Sequence, residues 1–208
     1  RIHIPLIADI HYQPDLALLA IEQGVDAVRI NPGNLLPDKE TGQQFGSFRM
    51  IVEAAKRVDV AMRIGVNSGS IDALERGAAM RKVSMKRLAD GTLVRSDPAE
   101  ERRREREALA ERMVAKALEY CGWADDLGYT NYKVSLKSSN VLTAVEAYRK
   151  FSAASDVPLH LGITEAGTLV TGAVKSSIGV ALLRADGIGD TIRVSLTAEP
   201  EEEIPVAY

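Results

Sequence analysis

The chain has 208 residues, 46% of them hydrophobic and 26% charged, with a formal net charge of -3. That balance belongs to one globular domain with a sizeable core. It gives no global attraction to nucleic acid or to acidic membrane surfaces, so any anion site must be a local cluster. One cysteine, Cys121, excludes an internal disulfide and any cysteine-built metal or cluster site made from this chain alone, and it fits a reducing, cytoplasmic setting. No apolar run approaches the roughly 20 residues of a membrane span. The chain opens on Arg1 and enters its first strand almost at once, which reads as an excerpt of a longer polypeptide.

Six segments share one plan, a short apolar run ending in polar or charged residues: 4–11, 27–34, 62–69, 132–137, 159–165 and 192–196. Helical patterns lie between them. The first spans Asp15–Gln23, with Pro14 at its start and Gly24 at its end, and the second spans Ser47–Arg57. The third connection is abnormally long. A basic insert at 71–96, with Gly77 and Gly91 and no clean period, reads equally as a lid or as a lineage-specific surface loop.

A long helix follows from Pro98 to about Leu127, capped by Ser96 or Asp97. Its apolar stripe is Leu109, Met113, Ala117, Tyr120 or Cys121, and Ala124. Its first turns, Glu100 to Glu107, hold four acids and four bases. These charges cancel, and pairs such as Glu100–Arg104 predict a solvated face. Further helices are expected at about Asn140–Ala154 and Ala173–Ala185, and none after the last strand.

Alternating strands and helices predict parallel strands with helical crossovers. Ligands bind beyond the C-terminal ends of such strands. Six polar strand ends suit a barrel mouth better than an open sheet, which needs them mainly at its switch point. The fold class read from this pattern is an α/β TIM-type (β/α)8 barrel. It is incomplete, with about six strands, lacking two units in front and the final helix behind. The whole chain, 1–208, is then one partial barrel domain with exposed sheet edges.

Arg29, Arg63 and Arg193 lie in three different strands, and Lys133 and Lys137 in a fourth. A cation inside an apolar run is costly unless paired. Asp9 and Glu165 are too few to neutralise five of them, which points to an anionic ligand. Asn31, Asn67, Ser135 and Ser195 stand near those cations, although Asn31-Pro-Gly-Asn34 and Asn67-Ser-Gly-Ser70 are also plain turn sequences. Gly172-Ala-Val-Lys-Ser-Ser177 reads as a helix opening, either a phosphate cradle or an ordinary cap. The titratable candidates are Asp9, His11, His160 and Glu165, of which Glu165, directly after an apolar strand, is the best placed to move a proton. No dinucleotide fingerprint or phosphate loop is present.

At these residues the chain resembles the 4-hydroxy-3-methylbut-2-en-1-yl diphosphate synthases of the non-mevalonate isoprenoid pathway. The resemblance is carried by Pro5–His11, Val28–Asn34, Arg63–Ser70, Tyr132–Ser138, Pro158–Gly167, Gly172–Ser177 and Asp186–Leu196. It implies a TIM-type barrel binding 2-C-methyl-D-erythritol 2,4-cyclodiphosphate. It also implies a [4Fe–4S] cluster on a separate C-terminal domain, flavodoxin or ferredoxin as electron donor, and a homodimer. Carried over by motif, Arg29, Asn31, Arg63, Asn67, Lys133 and Ser195 resemble the diphosphate grip, with Ser135 and Arg193 beside them. Thr164 and Glu165 resemble the pair at the ring carbon that loses oxygen, and Asp9 and His160 line the same mouth. The family's cluster ligands, three cysteines and a glutamate, have no counterpart here, so this fragment alone is expected to bind substrate without reducing it. Two other readings stay open: a non-redox barrel enzyme acting on a phosphorylated substrate, as pterin-using synthases do, and an inactive truncated binding module.

Overall fold

A computed structural model describes residues 3–38, 42–75, 85–87, 93–95 and 97–208. Its parallel strands are β1 (Ile7–Asp9), β2 (Ala27–Ile30), β3 (Ala61–Asn67), β6 (Tyr132–Lys137), β7 (His160–Gly162) and β8 (Thr191–Arg193). Between β3 and β6 lies an antiparallel pair, β4 (Met85–Arg87) and β5 (Leu93–Arg95). The helices are α1 (Pro14–Glu22), α2 (Gln44–Val58), α3 (Ser68–Glu75), α4 (Pro98–Asp126), α5 (Val141–Ser152), α6 (Leu169–Ala185) and the short α7 (Glu203–Ala207).

The wall runs β1-β2-β3-β6 as one parallel sheet. β7 pairs with β8, and a single bridge from Val134 to Leu159 joins the two parts. With the hairpin set aside, each strand lies beside its neighbour in the chain. A doubly wound sheet reverses its order at a switch point; this wall never reverses, which is the winding of a barrel. It does not close among the described residues. Apolar side chains are exposed along both margins, Ile4, Leu6 and Ile7 at β1 and Val170, Val174, Ile178 and Leu182 on α6.

Side chains alternate across each strand, so the wall has two faces. The outer set, Val28, Ile30, Met62, Ile64, Val66, Val134, Leu136 and Leu161, is buried under the helices. Those helices present Ile51 and Val52 from α2, Met113 and Ala117 from α4, and Phe151 from α5. Each large side chain buried there contributes roughly 1.5–3 kcal/mol. Trp123 of α4 wedges against Phe45 and Phe48 of α2, at ring-centroid separations of 5.4 and 5.8 Å.

The predicted stripe on α4 is buried from Met113 onward, with Ala110 buried where Leu109 was expected and Leu109 half-buried, and Asp97 caps the helix, accepting from the Ala99 N–H at 2.9 Å. Three readings change. The helix expected at Ala173 begins at Leu169, because Thr168 takes the extended N-cap conformation and the Gly172 N–H already donates to its carbonyl at 2.6 Å. Gly172–Ser177 is therefore helix interior, and its amides are not a free cradle. The insert read as aperiodic contains the last part of α3 and the β4–β5 hairpin; a three-residue strand is too short to show a period. Residues 76–84, 88–92 and 96, on which the lid reading also rests, lie outside the described residues. One short helix, α7, does follow the last strand, anchored where the Glu203 carboxylate accepts from the Leu196 N–H at 2.8 Å.

The join between β6 and β7 has little ladder, and a side chain replaces it. Tyr148 of α5 is fully buried; its hydroxyl donates to the His160 carbonyl at 2.7 Å and accepts from the Leu136 N–H at 3.1 Å. Tyr148→Phe leaves both backbone groups buried and unpaired. We expect it to lower stability by roughly 2–4 kcal/mol in a denaturant titration, well beyond the cost of a surface hydroxyl.

Candidate functional site

The inner face of the wall carries the polar residues. Its register sets Asp9 beside Arg29, Arg29 beside Arg63, and Arg63 beside Lys133. Two residues further along come Gly65 and Ser135, and then Asn67 and Lys137. On the far side Gly162 pairs with Arg193, and His160 with Thr191. Alternate residues of every strand face one space, and five of those named are Arg or Lys against one carboxylate, Asp9.

Burial of these charges is extreme for their type. Arg29 is 6% exposed, Arg63 7% and Lys137 3%. Arg29 has a partner, since its Nη1 donates to Asp9 Oδ1 at 2.9 Å. His11 approaches the same oxygen at 3.5 Å. Arg63 makes no ion pair with a carboxylate among the described residues; its Nη1 lies 2.8 Å from His160 Nε2. A guanidinium only donates, so Nε2 must be the accepting nitrogen and the ring proton sits on Nδ1, 2.8 Å from the Thr191 hydroxyl. His160 is thus held neutral. Burial, followed by Lys137 and Arg63, pushes its pKa down to about 3. It orients Arg63 and is no acid at neutral pH.

Lys137 is driven the same way. Burial, then the charges of Arg63, Arg193 and Arg29, lower its pKa to about 7, with Asp9 opposing. Arg63 is lowered by burial and by Arg29. These mutual effects show that Arg29, Arg63, Lys137 and Arg193 converge. Two glycines make the space. A Cβ on Gly65 would lie 2.8 Å from Arg29 Nε, and one on Gly162 would lie 3.4 Å from Lys137 Cε and 2.9 Å from the Arg193 carbonyl. Three buried polar atoms on this face lack a hydrogen-bond partner among the described residues: Arg63 Nε, Asn67 Oδ1 and Ser135 Oγ. Surplus positive charge, orphaned donors and acceptors and a floor of glycine are together what an anion would satisfy.

The predicted residues divide accordingly. Arg29, Arg63, Asn67, Ser135, His160 and Arg193 meet on the inner face, with Arg193 itself exposed. Lys133 is half-buried and acts on His160 as a neighbouring charge. Asn31 serves its turn: its Oδ1 accepts from the Gly33 N–H and its Nδ2 donates to Ser70 Oγ, both at 3.2 Å. Ser195 is half-buried beyond the end of β8. Thr164 docks on β6, its N–H donating to the Ser138 carbonyl at 3.3 Å. Glu165 is exposed at the strand-end rim and makes no ion pair among the described residues. Its backbone takes φ +50°, a left-handed value rare outside glycine that often marks a working residue. Lys137, left out of the sequence-based grip, is the most deeply buried cation among the described residues. Its signal was there, since Lys133, Ser135 and Lys137 fall on one face of one strand. Thr191, whose hydroxyl accepts from His160 Nδ1, gave no sequence signal.

The described residues do not fit an iron–sulfur cluster. No group of three or more His, Cys, Asp or Glu side chains converges among them. Cys121 is buried on the core face of α4, where burial pushes its thiol up to about 11 and keeps it protonated. No described helix is long and apolar enough to cross a membrane.

Comparison with known proteins agrees with this geometry. The family described as "GcpE TIM-barrel domain" matches residues 1–208. Three similar proteins bear the name 4-hydroxy-3-methylbut-2-en-1-yl diphosphate synthase (flavodoxin). That of Sulfurihydrogenibium sp. (strain YO3AOP1) is 41% identical over 205 residues, covering 99% of this chain and 49% of the relative. That of Fusobacterium nucleatum is 42% identical over 207 residues (100% and 49%), and that of Thermodesulfovibrio yellowstonii 43% over 210 residues (100% and 50%). The chain spans about half the length of the curated relatives it matches. A match along the whole chain, at this identity and on this wall, means that the chain belongs to the GcpE family and carries its TIM-barrel domain.

Proposed function

We propose that this chain is the substrate-binding barrel of a 4-hydroxy-3-methylbut-2-en-1-yl diphosphate synthase, holding 2-C-methyl-D-erythritol 2,4-cyclodiphosphate against the inner face of the wall. The observation that carries the reading is the uncompensated charge there: Arg29, Arg63, Lys137 and Arg193 converge with Asp9 as the one carboxylate among their named neighbours. A diphosphate supplies the missing negative charge, and guanidiniums bind it bidentately. Asn67 and Ser135 offer their orphaned atoms to the ligand's oxygens. His160, fixed by Thr191, holds Arg63 in its binding orientation.

Glu165 and Thr164 stand at the rim where the ring would lie. In this proposal the carbon–oxygen bond tying one end of the diphosphate into the ring breaks as two electrons arrive. The neighbouring carbon loses its hydroxyl as water with the proton of the Glu165 carboxyl, a carbon–carbon double bond forms, and the freed diphosphate stays gripped by the cations. The two electrons come from outside these residues. Flavodoxin as donor follows the relatives' names; ferredoxin, a homodimer and a cluster domain beyond this chain belong to the same proposal. So does a cytoplasmic setting, which the protonated free thiol of Cys121 suits.

Three outcomes test it. Arg63→Ala is expected to raise the substrate dissociation constant more than tenfold by calorimetry in the full-length enzyme; an unchanged constant removes the phosphate grip. Glu165→Gln should keep substrate affinity and lose most turnover, and wild-type turnover would take Glu165 out of the reaction. The third concerns Lys137. Its folded pKa, about 7, lies below its ordinary 10.5, so its burial cost is fully present below pH 7 and is relieved as pH rises toward 10.5. Stability of the ligand-free protein should therefore climb across that window, and Lys137→Met should flatten the climb. A bound diphosphate restores the proton, so binding near pH 8 should take up protons from the buffer, an uptake that Lys137→Met abolishes.

A further inference from the structure

The charged run at the start of α4 is sorted by face. Arg104 pairs with Glu100, and Arg103 lies 3.8 Å from Glu107. Arg102 and Arg106, one turn apart, instead line a cavity of about 510 Å³ between α4 and the ends of β3 and β6. Neither makes an ion pair among the described residues, and Arg106 Nε is buried with no acceptor. Arg112 lines the same cavity, and Glu105 is the one carboxylate on it among the described residues.

The opposite wall is made of donors. Ser138, almost fully buried, accepts from Ser68 Oγ at 3.1 Å and from the Asn140 N–H at 3.2 Å, which leaves its own hydroxyl proton to give. Thr143, also buried, belongs to the first turn of α5, whose positive dipole end adds to the field. Two guanidiniums without an ion pair among the described residues, Arg102 and Arg106, facing hydroxyls and a helix start, are a receptor for an oxyanion. No residue of the barrel's inner face lines this cavity, although Ser68 and Ser138 directly follow Asn67 and Lys137 in the chain.

The geometry points to a second oxyanion site, outside the barrel and beside its mouth, that takes the phosphate or diphosphate group of a small metabolite. Calorimetric titration of inorganic diphosphate into the full-length protein tests it. Two classes of site are expected. Arg106→Ala should weaken one class at least tenfold and leave the other unchanged, while Arg63→Ala should do the converse. Arg102→Ala, at an exposed helical position that leaves folding intact, should repeat the effect of Arg106→Ala. A single class of site, or two classes that neither α4 variant moves, overturns the inference. Should Arg63→Ala be silent while both α4 variants act, the barrel reading fails and the second site stands.

Discussion

The desolvation of like charges on one face of a parallel wall is the constraint behind everything else in this molecule. Side chains alternate along a strand, so burying the apolar half under helices forces the other half into one enclosed space. Here that half includes Arg29, Arg63, Lys137 and Arg193, with Asp9 alone against them. Arg29, Arg63 and Lys137 repel each other through a poorly screened interior and have lost most of their water, while Arg193 stays exposed at the edge. The fold answers with what it has: one ion pair at Arg29, a neutral imidazole accepting from Arg63, and a lysine whose proton is loosely held. Each answer is partial, and the remainder is a standing demand for an anion.

The wall can hold that charge because its other face is ordinary and well packed. Ile30, Ile64, Leu136 and Leu161 are sealed under α2, α4 and α5. The weak point is the join between β6 and β7, where the Tyr148 hydroxyl stands in for ladder hydrogen bonds and touches the backbone of His160 itself. Packing on the outside therefore sets the position of a polar group on the inside. Gly65 and Gly162 work in the same direction by absence, since a side chain at Gly65 would intrude on the Arg29 guanidinium and one at Gly162 on the Arg193 carbonyl.

Much of this was legible in the sequence. Apolar runs with polar ends gave the strands, Asp97-Pro98 gave the start of α4, and the period-two placement of Arg63 and Asn67 put both on one face. The misreadings have physical causes. Gly172 looked like a helix start because glycine often stands near one, yet the turn from Thr168 already satisfied its amide. The charges at the head of α4 cancel in sum and not by face, so Arg102 and Arg106 were hidden in a neutral count. Lys133 and Lys137 share a face, and nothing local distinguishes the half-buried one from the buried one.

Sequence alone determined the alternation, the winding order and the excess of cations at strand ends, because these follow from local period and from residue type. Only the tertiary structure decided which described cation lies deepest, which nitrogen of His160 carries the proton, and that Glu165 is exposed with a left-handed backbone. Those depend on distances between residues far apart in the chain, such as Arg63 and His160, and on how much water each loses. No local pattern encodes either quantity.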